Sequence, residues 1–176
     1  GLAKVIDFYG MIKVNMYIDD EIKTQRIRGI YRSIHSEYAN LILVDKENGG
    51  KADALNVGIN IAQSAYVVCI DVDCILDKDA LLKLAKPFLE QGRKRVIATG
   101  GVVRIANQCV IKDGRLISVN VPQKMLPRIQ VLEYLRAFLL GRMAWERLDG
   151  LLLISGAFGA FDREIVLAVG VYNTKT

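Results

Sequence analysis

Along the middle of the chain, short continuous apolar runs alternate with segments whose apolar residues recur at helical spacing. Leu41-Ile42-Leu43-Val44 is an apolar run of strand length, closed by the polar turn Asp45-Lys46-Glu47-Asn48-Gly49-Gly50. From about Lys51 to Ser64, the positions of Ala54, Leu55, Val57, Gly58, Ile61 and Ala62 predict a helix with one apolar face. Tyr66-Val67-Val68-Cys69-Ile70 reads as a second buried strand and ends at Asp71. Asp77 is the expected N-cap of a helix reaching about Glu90, with Leu81, Leu82, Leu84, Ala85 and Phe88 facing inward. Strand, helix, strand, helix predicts an α/β fold: a Rossmann-like, mostly parallel sheet flanked by helices, with right-handed crossovers.

The second half is less regular. A strand is expected around Arg95 to Arg104, through Gly100-Gly101, followed by a hairpin turning at Asp113-Gly114. A long helical pattern runs from Pro127 to Asp149, with Val131, Leu132, Leu135, Phe138, Leu139 and Met143 on one face and Arg128, Glu133, Arg136, Arg142 and Arg147 beside it. Leu151-Leu152-Leu153-Ile154 then enters the small-residue stretch Ser155-Gly156-Ala157-Phe158-Gly159, ahead of a short helix capped by Asp162. The first forty residues give only weak signals.

A length of 176 residues, 52% of them hydrophobic, suits a single domain over 1–176 with a real core. Cys69, Cys74 and Cys109 form neither a disulfide framework nor a paired metal pattern, which fits a reducing, cytoplasmic setting. Twenty-four basic against 19 acidic residues is a modest excess, compatible with phosphate-bearing ligands or an anionic membrane surface. No charged-then-apolar leader opens the chain, and no apolar run approaches the roughly 18 residues of a membrane span, so a soluble chain is expected. Trp145 and the tyrosines lack the interleaving with basic residues that a nucleic-acid platform needs. His35, the one histidine, has no metal-ligand spacing and reads as an ordinary loop residue.

The chemistry centres on Asp71 and Asp73. At i and i+2 of an extended segment, two carboxylates point to the same side, and here they follow a strand directly. In open α/β sheets, ligands bind beyond the carboxyl ends of the strands. Two close carboxylates repel unless a cation lies between them, and Mg²⁺ or Mn²⁺ bridging to a diphosphate is the natural occupant. The pair alone is equally compatible with a strand end followed by a turn. The preceding loop adds weight. Asn48-Gly49-Gly50-Lys51 opens a helix, where glycines let backbone N–H groups approach a phosphate and Lys51 adds a compact positive charge. Both segments are expected at the ends of neighbouring strands, converging on one crevice.

Lys46-Glu47-Asn48-Gly49-Gly50-Lys51-Ala52-Asp53-Ala54-Leu55-Asn56-Val57-Gly58, followed by Asp71-Val72-Asp73, resembles a family 2 glycosyltransferase of the GT-A fold. The resemblance continues through Ala80-Leu81-Leu82, Gly100-Gly101, Val131-Leu132-Glu133-Tyr134-Leu135-Arg136 and Ser155-Gly156-Ala157-Phe158, and is nearest to membrane-associated, polysaccharide-synthase-like enzymes. It implies that Lys51, the lysine after the glycine pair, lies near the nucleotide, that Asp71 and Asp73 serve the diphosphate and metal, and that Ser155, Gly156 and Ala157 partly line the sugar pocket. It further implies inverting, metal-dependent transfer from a nucleotide-diphosphate sugar, with a UDP-sugar first among donors, to a hydroxyl of a saccharide or lipid-linked acceptor, at the cytoplasmic face of a membrane. Two departures stand out. The family's opening nucleoside-holding segments have no counterpart, since Asp19-Asp20-Glu21 lacks their strand-then-glycine setting. At the other end, Tyr172-Asn173-Thr174 resembles the approach to the family's catalytic base, which is expected beyond Thr176, and Val171 stands where a glycine is usual. The chain therefore reads as the central fragment of a partial GT-A domain, inactive on its own. Two rival readings are a nucleotidyltransferase-like enzyme and a non-catalytic module that touches a membrane or a partner through 128–147.

Overall fold

The computed structural model describes residues 1–18, 22–141 and 154–174. They form two compact units, Gly1–Gln63 with Leu167–Thr176, and Ser64–Val166.

In the first unit, α1 (Leu2–Phe8) precedes β1 (Met11–Val14), β2 (Ile27–Ser33), a 3-10 turn at Ser36–Tyr38, β3 (Ile42–Lys46) and α2 (Gly50–Ile61). The three strands form one antiparallel sheet in the order β1-β2-β3, with Met11 opposite Ser33 and Ile30 opposite Val44. The weak signals of the first forty residues thus conceal a helix and two strands. In β2 Arg28 and Arg32 are exposed while the adjacent Gly29 and Ile30 are both buried, so the strand shows no clean apolar alternation. Gly10 adopts φ +55, and a Cβ there would come within 2.5 Å of His35 Nε2. His35 itself is exposed beside that turn, as expected of a loop residue.

In the second unit, β4 (Tyr66–Ile70) and α3 (Ala80–Leu89) lead to β5 (Ala98–Gly100), the hairpin β6 (Val110–Lys112) and β7 (Arg115–Ser118), then α4 (Met125–Leu135), β8 (Phe158–Asp162) and most of α5 (Arg163–Ala168), whose end passes into the first unit. β8 lies between β4 and β5, antiparallel to both, with Ala160 opposite Val68 on one side and Thr99 on the other. Leu84 and Phe88 of α3 close over Phe158 and Ala160 to make the buried cluster, joined by Leu76, Ala80 and Val96. Burying Leu84 and Phe88 contributes about 2 kcal/mol each. Arg95 donates to the buried Asp162 carboxylate at 2.6 and 3.1 Å and to Glu164 at 2.8 Å, fixing the end of β8.

The alternation of strands and helices is present, so the α/β class holds. The mostly parallel sheet does not: every strand pair among the described residues is antiparallel, and β3 and β4 belong to different sheets. Periodicity specifies elements but not partners, and β4 takes its partner from about ninety residues further along. β4 also buries only one face: Val67 and Cys69 are inside, while Val68 and Ile70 remain over 40% exposed. α3 starts at Ala80 with Asp79 as N-cap, not at Asp77, whose carboxylate accepts the Lys78 N–H. Leu81 and Leu82, expected inside, are exposed.

The expected strand over Arg95 to Arg104 contracts to the three residues of β5. The hairpin turns where predicted, with φ +51 at Asp113 and +71 at Gly114, the pair of positive values that a type I′ turn requires. The helix expected from Pro127 appears as α4 and continues as a π-helical turn at Arg136–Gly141, but none of the α4 side chains is buried. Its continuation over 142–149, with Arg142, Met143, Trp145 and Arg147, lies outside the described residues, as do Leu151–Leu153 and Asp19–Glu21. Asp162 caps α5 as anticipated, its Oδ1 accepting the Ile165 N–H at 3.4 Å. Among the described residues no helix is long and apolar enough to cross a membrane.

Candidate functional site

The glycine loop belongs to the first unit. Asn48 Oδ1 accepts the Gly50 N–H at 3.0 Å, turning the chain into α2. The two glycines are needed for different reasons. A Cβ on Gly49 would lie 2.6 Å from Asp53 Oδ2, while Gly50 has open space around it but adopts φ +79, which side-chain-bearing residues rarely take. Gly49 is the N-cap and supplies no side-chain oxygen of its own, so the cap of the twelve-residue helix α2 comes from the residue before it, Asn48. Lys51 is exposed at that end.

Behind the loop, α2 turns an unexpected face inward. Ala54 and Gly58, placed on the inner face by periodicity, are exposed, and Asp53, Asn56 and Asn60 are buried with Val57 and Ile59. The three polar residues fall at i, i+3 and i+7, one stripe of the helix: Asp53 and Asn60 hold the stretch before β2, and Asn56 holds the chain at Tyr172. Asp53 forms an ion pair with Lys46 and accepts the Gln25 N–H at 2.9 Å. Asn60 donates to the Ile22 carbonyl at 2.9 Å. Asn56 donates to the Tyr172 carbonyl at 2.9 Å and accepts the Tyr172 N–H at 3.1 Å. Burial pushes the Asp53 carboxyl up, but the Lys46 ammonium and the Gln25 amide outweigh it and hold the group below the ordinary carboxylate value. Sequence reasoning missed all three, although polar residues repeating at helical spacing were a signal in plain view.

The carboxylate pair belongs to the second unit and stands on a turn. β4 ends at Ile70, and the Cys74 N–H donates to the Asp71 carbonyl at 3.0 Å, so Asp71 to Cys74 forms a β-turn, not the extended i, i+2 presentation expected. Asp71 is half-buried, and Asp73 is exposed at the tip beside a fully exposed Val72. The small-residue segment joins this turn. Asp71 donates its N–H to the Ala157 carbonyl at 3.0 Å, one step past the Ile70–Phe158 pair of the β4–β8 ladder. Cys74 Sγ reaches the same carbonyl at 3.6 Å, and Ser155 Oγ accepts the Ala157 N–H at 3.2 Å. Asp71, Asp73, Ser155, Gly156 and Ala157 are therefore brought together, with Gly156 exposed on the surface. Beyond the turn, Ile75, Leu76 and Asp77 line a mainly apolar cavity of about 470 Å³ with Gly101, Arg104 and Phe158, a volume within the range of small-ligand sites. A Cβ on Gly101 would overlap the Phe158 ring.

Among the described residues no three or more His, Cys, Asp or Glu side chains cluster as a complete metal site. The two aspartates could supply only part of a coordination shell. That suits Mg²⁺ or Mn²⁺, which keep waters and take substrate phosphate oxygens alongside one or two carboxylates.

Residues 11–144 match the model of the family described as Glycosyl transferase family 2. Among curated proteins, the chain is 34% identical over 141 residues to poly-beta-1,6-N-acetyl-D-glucosamine synthase of Staphylococcus aureus strain COL, covering 78% of the chain and 30% of that protein. It is 31% identical over 132 residues to the protein of the same name from Staphylococcus epidermidis, covering 74% of the chain and 28% of that protein. The chain thus spans about 30% of the length of the curated relatives it matches. No solved structure matches it significantly.

Proposed function

The chain belongs to glycosyl transferase family 2, and from that premise we propose that it is part of an enzyme that transfers a sugar from a nucleoside diphosphate to a growing polysaccharide. The observation that carries the reading furthest is the hydrogen bond from Asp71 to Ala157, which joins the carboxylate turn to the Ser-Gly-Ala segment. The relatives are named for a polymer of N-acetyl-D-glucosamine, so a UDP-linked N-acetylhexosamine is the proposed donor. Membership also supports a GT-A fold for the complete domain.

In this mechanism the glycine loop and the positive N-terminal end of α2 face diphosphate oxygens, and Lys51 adds a positive charge to the same group. Asp71 and Asp73 would hold Mg²⁺ or Mn²⁺. When bound, the ion offsets the charge that develops on the leaving diphosphate. Ser155, Gly156 and Ala157 border the sugar, where the absence of bulk leaves room for a pyranose ring. A carboxylate beyond Thr176 takes the proton of the acceptor hydroxyl, whose oxygen attacks the anomeric carbon from the face opposite the departing diphosphate, inverting that centre. The acceptor is a saccharide or lipid-linked saccharide. Leu126, Ile129 and Leu132 of α4 are 45–69% exposed, which supports peripheral contact of 128–147 with the cytoplasmic face of a membrane.

Calorimetric titration with UDP, with and without Mn²⁺, tests the donor site in this chain and in the full-length protein. Metal-dependent binding that Asp73→Asn abolishes is the expected result. Absence of UDP binding by the full-length protein would sink the proposal, and release of pyrophosphate in place of nucleoside diphosphate during turnover would assign it to nucleotidyl transfer instead.

A further inference from the structure

Asn56 is 1% exposed, and both ends of its amide are spent on the backbone of a single residue, Tyr172, 116 positions later. The pairing imitates one rung of a β-ladder made by a side chain. It closes on a turn that needs holding. Gly170 and Val171 take φ +88 and +59 in succession, and for a β-branched residue the second value is sterically costly, by about 1–3 kcal/mol. Such a conformation persists only where the surroundings impose it, and the two hydrogen bonds on the very next residue are the constraint at hand. The helix that supplies the clamp is the one whose first turn carries Gly50 and Lys51. At a rise of about 1.5 Å per residue, Asn56 sits about 7.5 Å along the helix from Lys51, with no joint between them.

We infer that Asn56 is a positioning residue for glycosyl transfer: it fixes the point from which the chain beyond Tyr172 departs relative to the diphosphate loop of α2. This rests on the transferase reading above, in which the base that deprotonates the acceptor follows Thr176. One rigid helix then sets two distances at once, donor phosphate at its N-terminus and acceptor base by way of its middle. A base displaced by about 1 Å loses on the order of a hundredfold in rate, without any change in donor binding.

The test uses the full-length protein carrying this chain, with Asn56→Ala compared against Asn60→Ala. Asn60 lies on the same buried stripe but clamps Ile22, so it reports what the loss of a buried amide does to stability alone. Asn56→Ala is expected to lower kcat about 10- to 100-fold while the Kd for UDP with Mn²⁺ stays within about twofold. Asn60→Ala is expected to lose similar thermal stability and to keep its kcat. If Asn56→Ala does not fold, Asn56→Asp, which keeps the acceptor for the Tyr172 N–H and removes the donor, is read in the same way. A second readout needs no catalysis: amide exchange at Tyr172 should quicken in Asn56→Ala and stay slow in Asn60→Ala. Equal losses of kcat in the two alanine variants, or a parent-like kcat in Asn56→Ala, overturn the inference while the transferase reading stands. A full-length protein that turns over no sugar nucleotide overturns both.

Discussion

The two units mix apolar and polar burial in different proportions. In the second, Leu84 and Phe88 of α3 meet Phe158 and Ala160 of β8 in an apolar cluster, and Asp162 is the one buried charge among that unit's described residues. In the first, the inward stripe of α2 is Asp53, Asn56 and Asn60, each tied to backbone or to an ion-pair partner. An apolar interior is non-directional and tolerates shifts of the elements that make it. A hydrogen-bonded stripe stabilises less per residue and specifies more, because a donor or acceptor displaced from its partner is left buried and unsatisfied. The unit that carries the glycine loop has the more directional interior, its polar stripe set among Ile30, Val57 and Ile59, which suits a site that must hold a diphosphate at fixed geometry.

The contrast can be broken experimentally. Phe158→Ala should cost about 4 kcal/mol in urea denaturation, since a buried aromatic is replaced by a cavity. Asp53→Ala should cost about 3 kcal/mol, most of it from the Lys46 ammonium left buried without its partner; a loss below about 0.5 kcal/mol would mean that the polar stripe is ornamental. Gly101→Ala should cost about 2 kcal/mol by forcing the Phe158 ring aside. Val171→Gly should stabilise by about 1 kcal/mol, the released backbone strain less the added freedom of the unfolded chain.

Acidity separates the two interiors more sharply. The folded Asp53 carboxyl titrates below its unfolded value of about 3.9, so the unfolded chain takes up the proton first. The stability it contributes is complete above that value and drains away as the pH falls through it toward the folded one. Asp53→Asn should flatten this acid limb in pH-dependent denaturation, whereas Phe158→Ala should lower the whole curve and leave its shape alone.

What could be read in advance follows the same division. β4 was legible to the residue, because five apolar positions flanked by polar ones admit few other readings, and the Asp113-Gly114 turn was legible because only such a pair takes two positive φ values readily. The inner face of α2 was not. Hydrophobic periodicity counts only apolar residues, so it placed Ala54 and Gly58 inside and overlooked the stripe of Asp53, Asn56 and Asn60. Strand partners were illegible for a different reason: nothing local in Tyr66–Ile70 names Phe158–Asp162 as its neighbour. Of the site, residue types and spacings marked Gly49, Gly50, Lys51, Asp71 and Asp73, but the turn that presents the aspartates depends on the carbonyl of Ala157, a backbone atom that no motif records.

That dependence has a temporal side. On the ribosome, β4 emerges about ninety residues before the segment it pairs with, and at a synthesis rate of about 5–20 residues per second it waits for several seconds or longer with an unpaired edge. During that interval the amide of Asp71 has no Ala157 to bond. The turn's own Cys74–Asp71 hydrogen bond is local, but its tie to Ala157 is a late product of synthesis, made only once that segment has emerged. A nascent chain stalled before Phe158 would hold every residue of the glycine loop and both aspartates, yet lack the strand against which the pair is set.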